Sequence, residues 1–338
     1  MYHYSLKPVP VGVGAGSDVR TAGFPSPKSK RGYRPEQPAI PSWKGVHLRI
    51  GELHRQGGLV VSFELFPPKT PDQTAKLFEE GIPGLLELSP AFLTCTYGAG
   101  GSTKDQTLEI VTRIRREFEV EAVSHLTCVG ASREEIGQFL AQARSGGISN
   151  IVALRGDPPR GDETFKPHPD GFKYAHELVS FIKQTGDFDV AVAGYPEGHP
   201  ECPDRHLDWQ RLAAKVAAGA DLVITQLFYN LADYFEFEDY LRGRLKVSVP
   251  IVAGILPILS KQQIERFCGL CGAQIPPDVQ AKLDQYADDP ASCRAYGIEL
   301  ATRMCEKLIA RGVSGLHFYT LNRTASTAAV MKNLGLVK

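Results

Sequence analysis

The chain has 338 residues and is 43% hydrophobic, enough to bury one barrel-sized core or two smaller ones. Lys plus Arg and Asp plus Glu both number 38, so the formal charge is zero and nothing argues electrostatically for a nucleic-acid partner. No apolar run reaches membrane-spanning length and no charged-then-apolar leader opens the chain, so a soluble, cytoplasmic protein is expected.

Residues 1–45 differ from everything after them. Pro8, Pro10, Pro25, Pro27, Pro35, Pro38 and Pro41 interrupt them, and basic residues outnumber acidic ones. Such a segment buries too little apolar surface to offset its ordering entropy, which predicts a disordered tail before a folded domain over 46–338. Gly12, Gly14 and Gly16 within it have the wrong spacing and context for a dinucleotide loop.

From residue 59 short apolar, β-branched runs recur at Leu59–Leu65, Ala91–Tyr97, Ala122–Cys128, Ile151–Arg155, Val190–Tyr195, Leu222–Phe228, Ile251–Leu256 and Gly315–Leu321. Helical periods lie between them, at Thr107–Glu117, Arg133–Ser145, Tyr174–Thr185, Trp209–Ala218 and Gln262–Cys268. The gap 258–314 reads as two helical segments, the second from about Cys293 to Arg311. Eight strands alternating with helices predict an α/β chain folded as a single (β/α)8 TIM barrel, with an open doubly wound sheet as the competitor.

In a barrel the chemistry sits where strands end. Those ends carry Glu64, Thr96 and Tyr97, His125, Arg155-Gly156-Asp157, Tyr195 with His199, Gln226, and Asn322-Arg323. Only the seventh strand, ending Gly254-Ile-Leu-Pro257, lacks a polar side chain there. Singly, each has a plain alternative: Thr96 and Gln226 as caps, His125 as a core histidine, Arg155 and Asp157 as a surface pair. Together they mark one rim.

Glu64 is the sharpest signal. It stands in an apolar strand, Val60-Val61-Ser62-Phe63-Glu64-Leu65-Phe66, stopped by Pro67-Pro68. Apolar burial favours a carboxyl that keeps its proton and can donate it, whereas an edge-strand Glu would simply face water. Gly156 between Arg155 and Asp157 lets a ligand approach the backbone, and a forked Arg suits phosphate or carboxylate. Gly98–Lys104 lacks the ending of a nucleotide phosphate loop and reads as a tight turn.

The seven cysteines, Cys95, Cys128, Cys202, Cys268, Cys271, Cys293 and Cys305, show no disulfide framework. Cys268 and Cys271 form a lone C-x-x-C, a weak metal or redox signal, and no metal site is expected.

These segments resemble the methylenetetrahydrofolate reductase family. The blocks are Ser62–Pro68, Thr96–Ala99, His125–Cys128, Ile151–Asp157, Ala193–Pro200, Ile224–Phe228, Gly254–Pro257 and His317–Arg323, collinear from about residue 59 to the end. The resemblance implies a barrel that binds FAD across its C-terminal face and reduces methylenetetrahydrofolate with NADH or NADPH. It implies Glu64 and Asp157 as catalytic residues. FAD contacts would be Thr96, Tyr97, Ala99, His125, Arg155, Gly156, Asp157, Ala175, Tyr195, His199, Asp208 and Lys215. Gln226, Gln263, Phe267 and Arg323 would bind the folate, Asp157 would join them, and the protein would be a homo-oligomer. Cys202, Arg211 and Ala214 depart from the family pattern, which touches the grip on the FAD phosphates and adenine rather than the chemistry.

Overall fold

The computed structural model describes residues 43, 45, 48–97, 104–157 and 165–337. The expected tail up to residue 42, Ala99 with the rest of its loop to Thr103, and Pro158-Pro159 lie outside the described residues.

Eight parallel strands close into a barrel in chain order: β1 (Val60–Leu65), β2 (Phe92–Cys95), β3 (Glu121–Thr127), β4 (Asn150–Leu154), β5 (Asp189–Gly194), β6 (Leu222–Thr225), β7 (Ile251–Ile255) and β8 (Gly315–Tyr319). The open sheet is excluded because β1 pairs with β8, with Ser62 opposite His317 and Glu64 opposite Tyr319. β1 is buried along its whole length, as a parallel strand covered on both faces must be.

Around the barrel run α1 (Ile50–Arg55), α2 (Pro71–Lys76), α3 (Ile82–Leu86), α4 (Lys104–Phe118), α5 (Arg133–Ser145), α6 (Ala175–Thr185), α7 (Arg205–Ala217) and α8 (Leu231–Gly243). They are followed by α9 (Lys261–Cys271), α10 (Pro277–Gln285), α11 (Pro290–Ala310) and α12 (Ala325–Asn333). A π-helical turn, Leu77–Gly81, joins α2 to α3. The stretch 258–314 thus holds three helices rather than two. α10 is the extra one, opened by Pro277 where its missing N–H leaves no helical bond unmade.

Two apolar layers result. Val61, Phe63 and Leu65 point outward into the layer under the helices. Val60, Phe92, Val123, Val152, Ala191, Leu222 and Val252 fill the lower barrel, which Trp43, Ile50 and Leu53 close from below. Trp43 is only 3% exposed and Gly45 N–H donates to Glu119 O, so packing begins before the expected boundary at residue 46. Among the described residues no helix is long and apolar enough to cross a membrane.

Candidate active site

Strand alternation decides what enters the barrel. On β1 the inward set is Val60, Ser62 and Glu64, and on β8 it is Gly315, His317 and Tyr319. Glu64 is 8% exposed and His317 fully buried. Glu64 Oε2 lies 3.5 Å from His317 Nε2 and 3.5 Å from His125 Nε2 on β3. Neither imidazole nitrogen meets hydrogen-bond geometry, and both are buried without a partner among the described residues. On the far side of its ring, His317 Nδ1 is 2.8 Å from Ser62 Oγ. Burial drives the His125 imidazole down to about 4, against the pull of Glu64. A neutral His125 and a carboxyl with no Lys or Arg partner among the described residues suit proton donation from Glu64.

Ser62 and His317 were not among the expected site residues. Their signal was present as period two, since Ser62 and Glu64 are alternate residues of an apolar strand and His317 is the register partner of Ser62. Asn322, expected on the rim with Arg323, takes a structural task there. Its side chain receives the Phe66 N–H at 2.9 Å and returns a bond to Phe66 O at 2.8 Å, fixing how β1 leaves the barrel before Pro67.

The seventh strand carries no polar group at its end for a steric reason. Tyr319 reaches across the barrel to donate to Thr225 O at 2.6 Å. A Cβ at Gly254 would sit 2.2 Å from that carbonyl and 2.8 Å from the tyrosine oxygen.

The ends of β4 and β5 gather most of the expected FAD residues into one electrostatic neighbourhood. Arg155 pairs with Glu201 at 2.5 Å and interacts with Asp157 and Tyr195. Tyr195 packs edge-on to His199, ring centroids 4.8 Å apart, and the Trp209 indole donates to Tyr195 O. His199 N–H donates to Asp208. Lys215 is half-buried, bonds Ala193 O at 2.5 Å, and is pushed down to about 8 by desolvation, with Asp208 opposing. Burial pushes the Tyr195 phenol up, and burial, with Arg155 adding, pushes His199 down.

Gly156 has φ +88°, and a Cβ there would strike Val129 and Thr127, so only glycine fits. Thr127 Oγ1 and Thr94 Oγ1 are buried without partners among the described residues. These orphaned hydroxyls, the bare Gly156 backbone and His125 fit a heteroaromatic ring with amide-like edges. The Arg155 and Lys215 cations fit a diphosphate.

Other expected contacts sit less centrally. Tyr97 packs edge-on against Phe139 of α5, and Thr96 O receives the Thr107 hydroxyl. Ala175 opens α6. Gln226 is held by its own turn, its Oε1 accepting from Leu227 N–H. Gln263 lies in the first turn of α9, which Ser260 caps, with its Oε1 on Leu259 N–H, and Phe267 lies half-buried on the same helix. Asp157 and Arg323 are exposed. All seven cysteines are free thiols, and burial pushes Cys268 up to about 12, which disfavours the thiolate that metal or redox chemistry needs.

Comparison with known proteins places the chain in a family. The chain is 42% identical over 300 residues to "Methylenetetrahydrofolate reductase (NADH) 1" of Arabidopsis thaliana, covering 86% of this chain and 50% of that protein. It is 37% identical over 281 residues to 5,10-methylenetetrahydrofolate reductase of Escherichia coli, covering 83% and 92%. The chain therefore spans about half the length of the plant relatives it matches. Among solved structures, a Clostridium thermocellum protein that binds two copies of 5-methyl-5,6,7,8-tetrahydrofolic acid superposes with a TM-score of 0.55. At 15% identity, covering 82% of this chain and 94% of that one, it shows the shared fold alone. Residues 49–335 match the family described as methylenetetrahydrofolate reductase. The chain belongs to that family.

Proposed function

We propose that the chain reduces 5,10-methylenetetrahydrofolate to 5-methyltetrahydrofolate, with FAD as bound cofactor and NADH or NADPH as reductant, in two half-reactions sharing one site. FAD, when bound, supplies a hydride carrier between the nicotinamide and the folate. The observation that carries this reading is Glu64, a buried carboxyl at the barrel mouth, met among the described residues only by two imidazole nitrogens at 3.5 Å.

The methylene carbon of the substrate is locked between N5 and N10 and accepts hydride poorly. Transfer of the Glu64 proton to N10 opens that ring to an N5 iminium cation, which accepts hydride readily. Ser62 fixes the His317 ring beside the Glu64 carboxyl, behind the reacting face. Asp157 on the rim stabilises the cationic substrate electrostatically. Arg155, Tyr195, His199, Asp208 and Lys215 would hold the FAD, with Gly156 giving its backbone to close approach. Gln226, Gln263 and Phe267 would orient the pterin, and Arg323, exposed and without an ion pair among the described residues, would meet the folate's glutamate carboxylates.

NADH appears in the names of the plant relatives, which favours it over NADPH. The purified chain should be yellow, with absorbance near about 450 nm, bleach with NADH in the absence of oxygen, and recolour on adding methylenetetrahydrofolate. A preparation that takes up no FAD, or a bleached one that the folate leaves unchanged, would overturn the reading.

A further inference from the structure

The loop after β5 carries a carboxyl that this chemistry does not use. Glu197 lies between Tyr195 and His199 in sequence. Its Oε2 accepts the backbone N–H of Gln274, just beyond α9, at 2.8 Å. Its Oε1 is buried with no partner among the described residues. A second contact lies beside the first. Gly272 ends α9 in left-handed backbone, φ +76°, so close to the same loop that a Cβ would sit 2.4 Å from Pro200 Cγ. The C-terminal end of α9 is thus clasped to the β5–α7 loop at two points.

The clasp joins two halves of the site, since α9 bears Gln263 and Phe267 while the loop bears Tyr195 and His199. We infer that Glu197 is a positioning residue, a proton-dependent latch that docks the folate-side helix on the flavin-side loop when neutral and loosens it when ionised. The link to folate rests on the function proposed above; the latch itself does not.

The surroundings of Glu197 favour its neutral form. Asp233 faces it from α8, and Cys268 and Cys271 face it from α9. Glu197 forms no ion pair among the described residues, and Arg205, packed behind Gly198, is engaged with Asp233 and Glu236. Burial pushes the Glu197 carboxyl up to about 7, the Gln274 N–H opposing and Asp233 adding. The sign follows. The docked state binds the proton more tightly than the released state, so docking is strongest below the ordinary value of 4.5. It weakens as pH rises from there through about 7 and stays weak above.

Hydrogen exchange on the full chain without substrate reads this directly, because protection reports the opening equilibrium even when the docked state dominates. At about pH 5.5 and about pH 8, with intrinsic rates divided out, protection over residues 268–274 should fall severalfold relative to the barrel strands. Glu197→Gln, which keeps the acceptor for Gln274 but cannot ionise, should show the same protection at both pH values. Protection independent of pH in the native chain, or the same pH dependence in Glu197→Gln, would overturn the latch. In turnover, Glu197→Ala should raise the KM for the folate severalfold, with kcat changed by less than about twofold. An unchanged KM would overturn the positioning role. Because the exchange measurement uses no substrate, its failure leaves the proposed reaction standing, and failure of that reaction leaves the latch testable.

Discussion

The two ends of the barrel treat buried carboxylates in opposite ways. At the N-terminal end Glu121, Asp189 and the half-buried Asp221 each meet a cation or an N–H, although burial and then Asp221 still push the Asp189 carboxyl up. Glu121 lies between Arg115, 2.5 Å away, and the Asn150 amide at 2.8 Å. Asp189 accepts the Gly51 N–H at 2.9 Å and faces Arg49, while Asn150 Oδ1 accepts from Ile50, so α1 is tied into the barrel floor. Asp221 takes Lys183 at 2.9 Å and the Val190 N–H at 2.8 Å. At the C-terminal end Glu64 has two imidazole nitrogens just out of reach, and Thr94 and Thr127 have orphaned hydroxyls. The floor has neutral exceptions, Trp43 Nε1 and His54, but no unmatched carboxylate among those three. Leaving a buried polar group unmatched costs about 1–3 kcal/mol, so a fold keeps such groups where a ligand uses them. On the function proposed above, the floor serves stability and the mouth serves chemistry.

That division can be broken from either end. The largest expected effect is at the mouth. Glu64→Gln should lower steady-state folate reduction by about 10²–10⁴-fold. Its unfolding free energy in urea should stay within about 1 kcal/mol of the native value. A large loss of stability would make Glu64 a structural residue.

The floor should respond in the reverse sense. Glu121→Ala strands Arg115 and the Asn150 amide and should cost about 3 kcal/mol in urea unfolding. Activity per folded molecule should survive, and an activity loss beyond the unfolded fraction would erase the contrast between the ends.

A third expectation concerns acid. Burial holds the His54 imidazole down at about 4, below its ordinary 6.5, with the Ser314 backbone opposing. The unfolded chain therefore takes up that proton first. The contribution is complete above pH 6.5 and is lost as pH falls towards 4, at up to about 1.4 kcal/mol per pH unit. His54→Leu should flatten the fall of unfolding free energy across this window. An unchanged slope would mean that His54 is not buried as a neutral ring. The smallest effect is expected at the exposed rim, where Asp157→Asn should raise the flavin midpoint potential and slow reoxidation by folate about threefold. An unchanged potential would place Asp157 away from the ring.

Much of this was legible in the sequence, for definite reasons. Strands covered on both faces read as unbroken apolar runs, so all eight were visible. α5 has the bounds its helical period predicted, Arg133–Ser145, and Ser132 and Glu135 form a reciprocal cap at its start. α8 was missed because Leu231–Gly243 mixes aromatic and acidic residues without a clear apolar stripe. β6 was read too long, to Phe228, because Leu227 and Phe228 are apolar, as is Tyr229 after them. They are buried beyond the strand's end, Tyr229 donating to Leu256 O at 2.9 Å. At the site, rim residues next to glycine or proline announced themselves, whereas Ser62 and His317 act through strands far apart in sequence. Only closure of the barrel brings β8 beside β1.

The central claim is that Glu64 supplies a proton to the folate and nothing to the nicotinamide. Stopped-flow measurement of the two half-reactions of Glu64→Gln tests it most directly. Bleaching of the flavin by NADH should proceed at the native rate, while reoxidation by methylenetetrahydrofolate should fall by at least about 10²-fold. Equal slowing of both half-reactions, or reoxidation at the native rate, would contradict it.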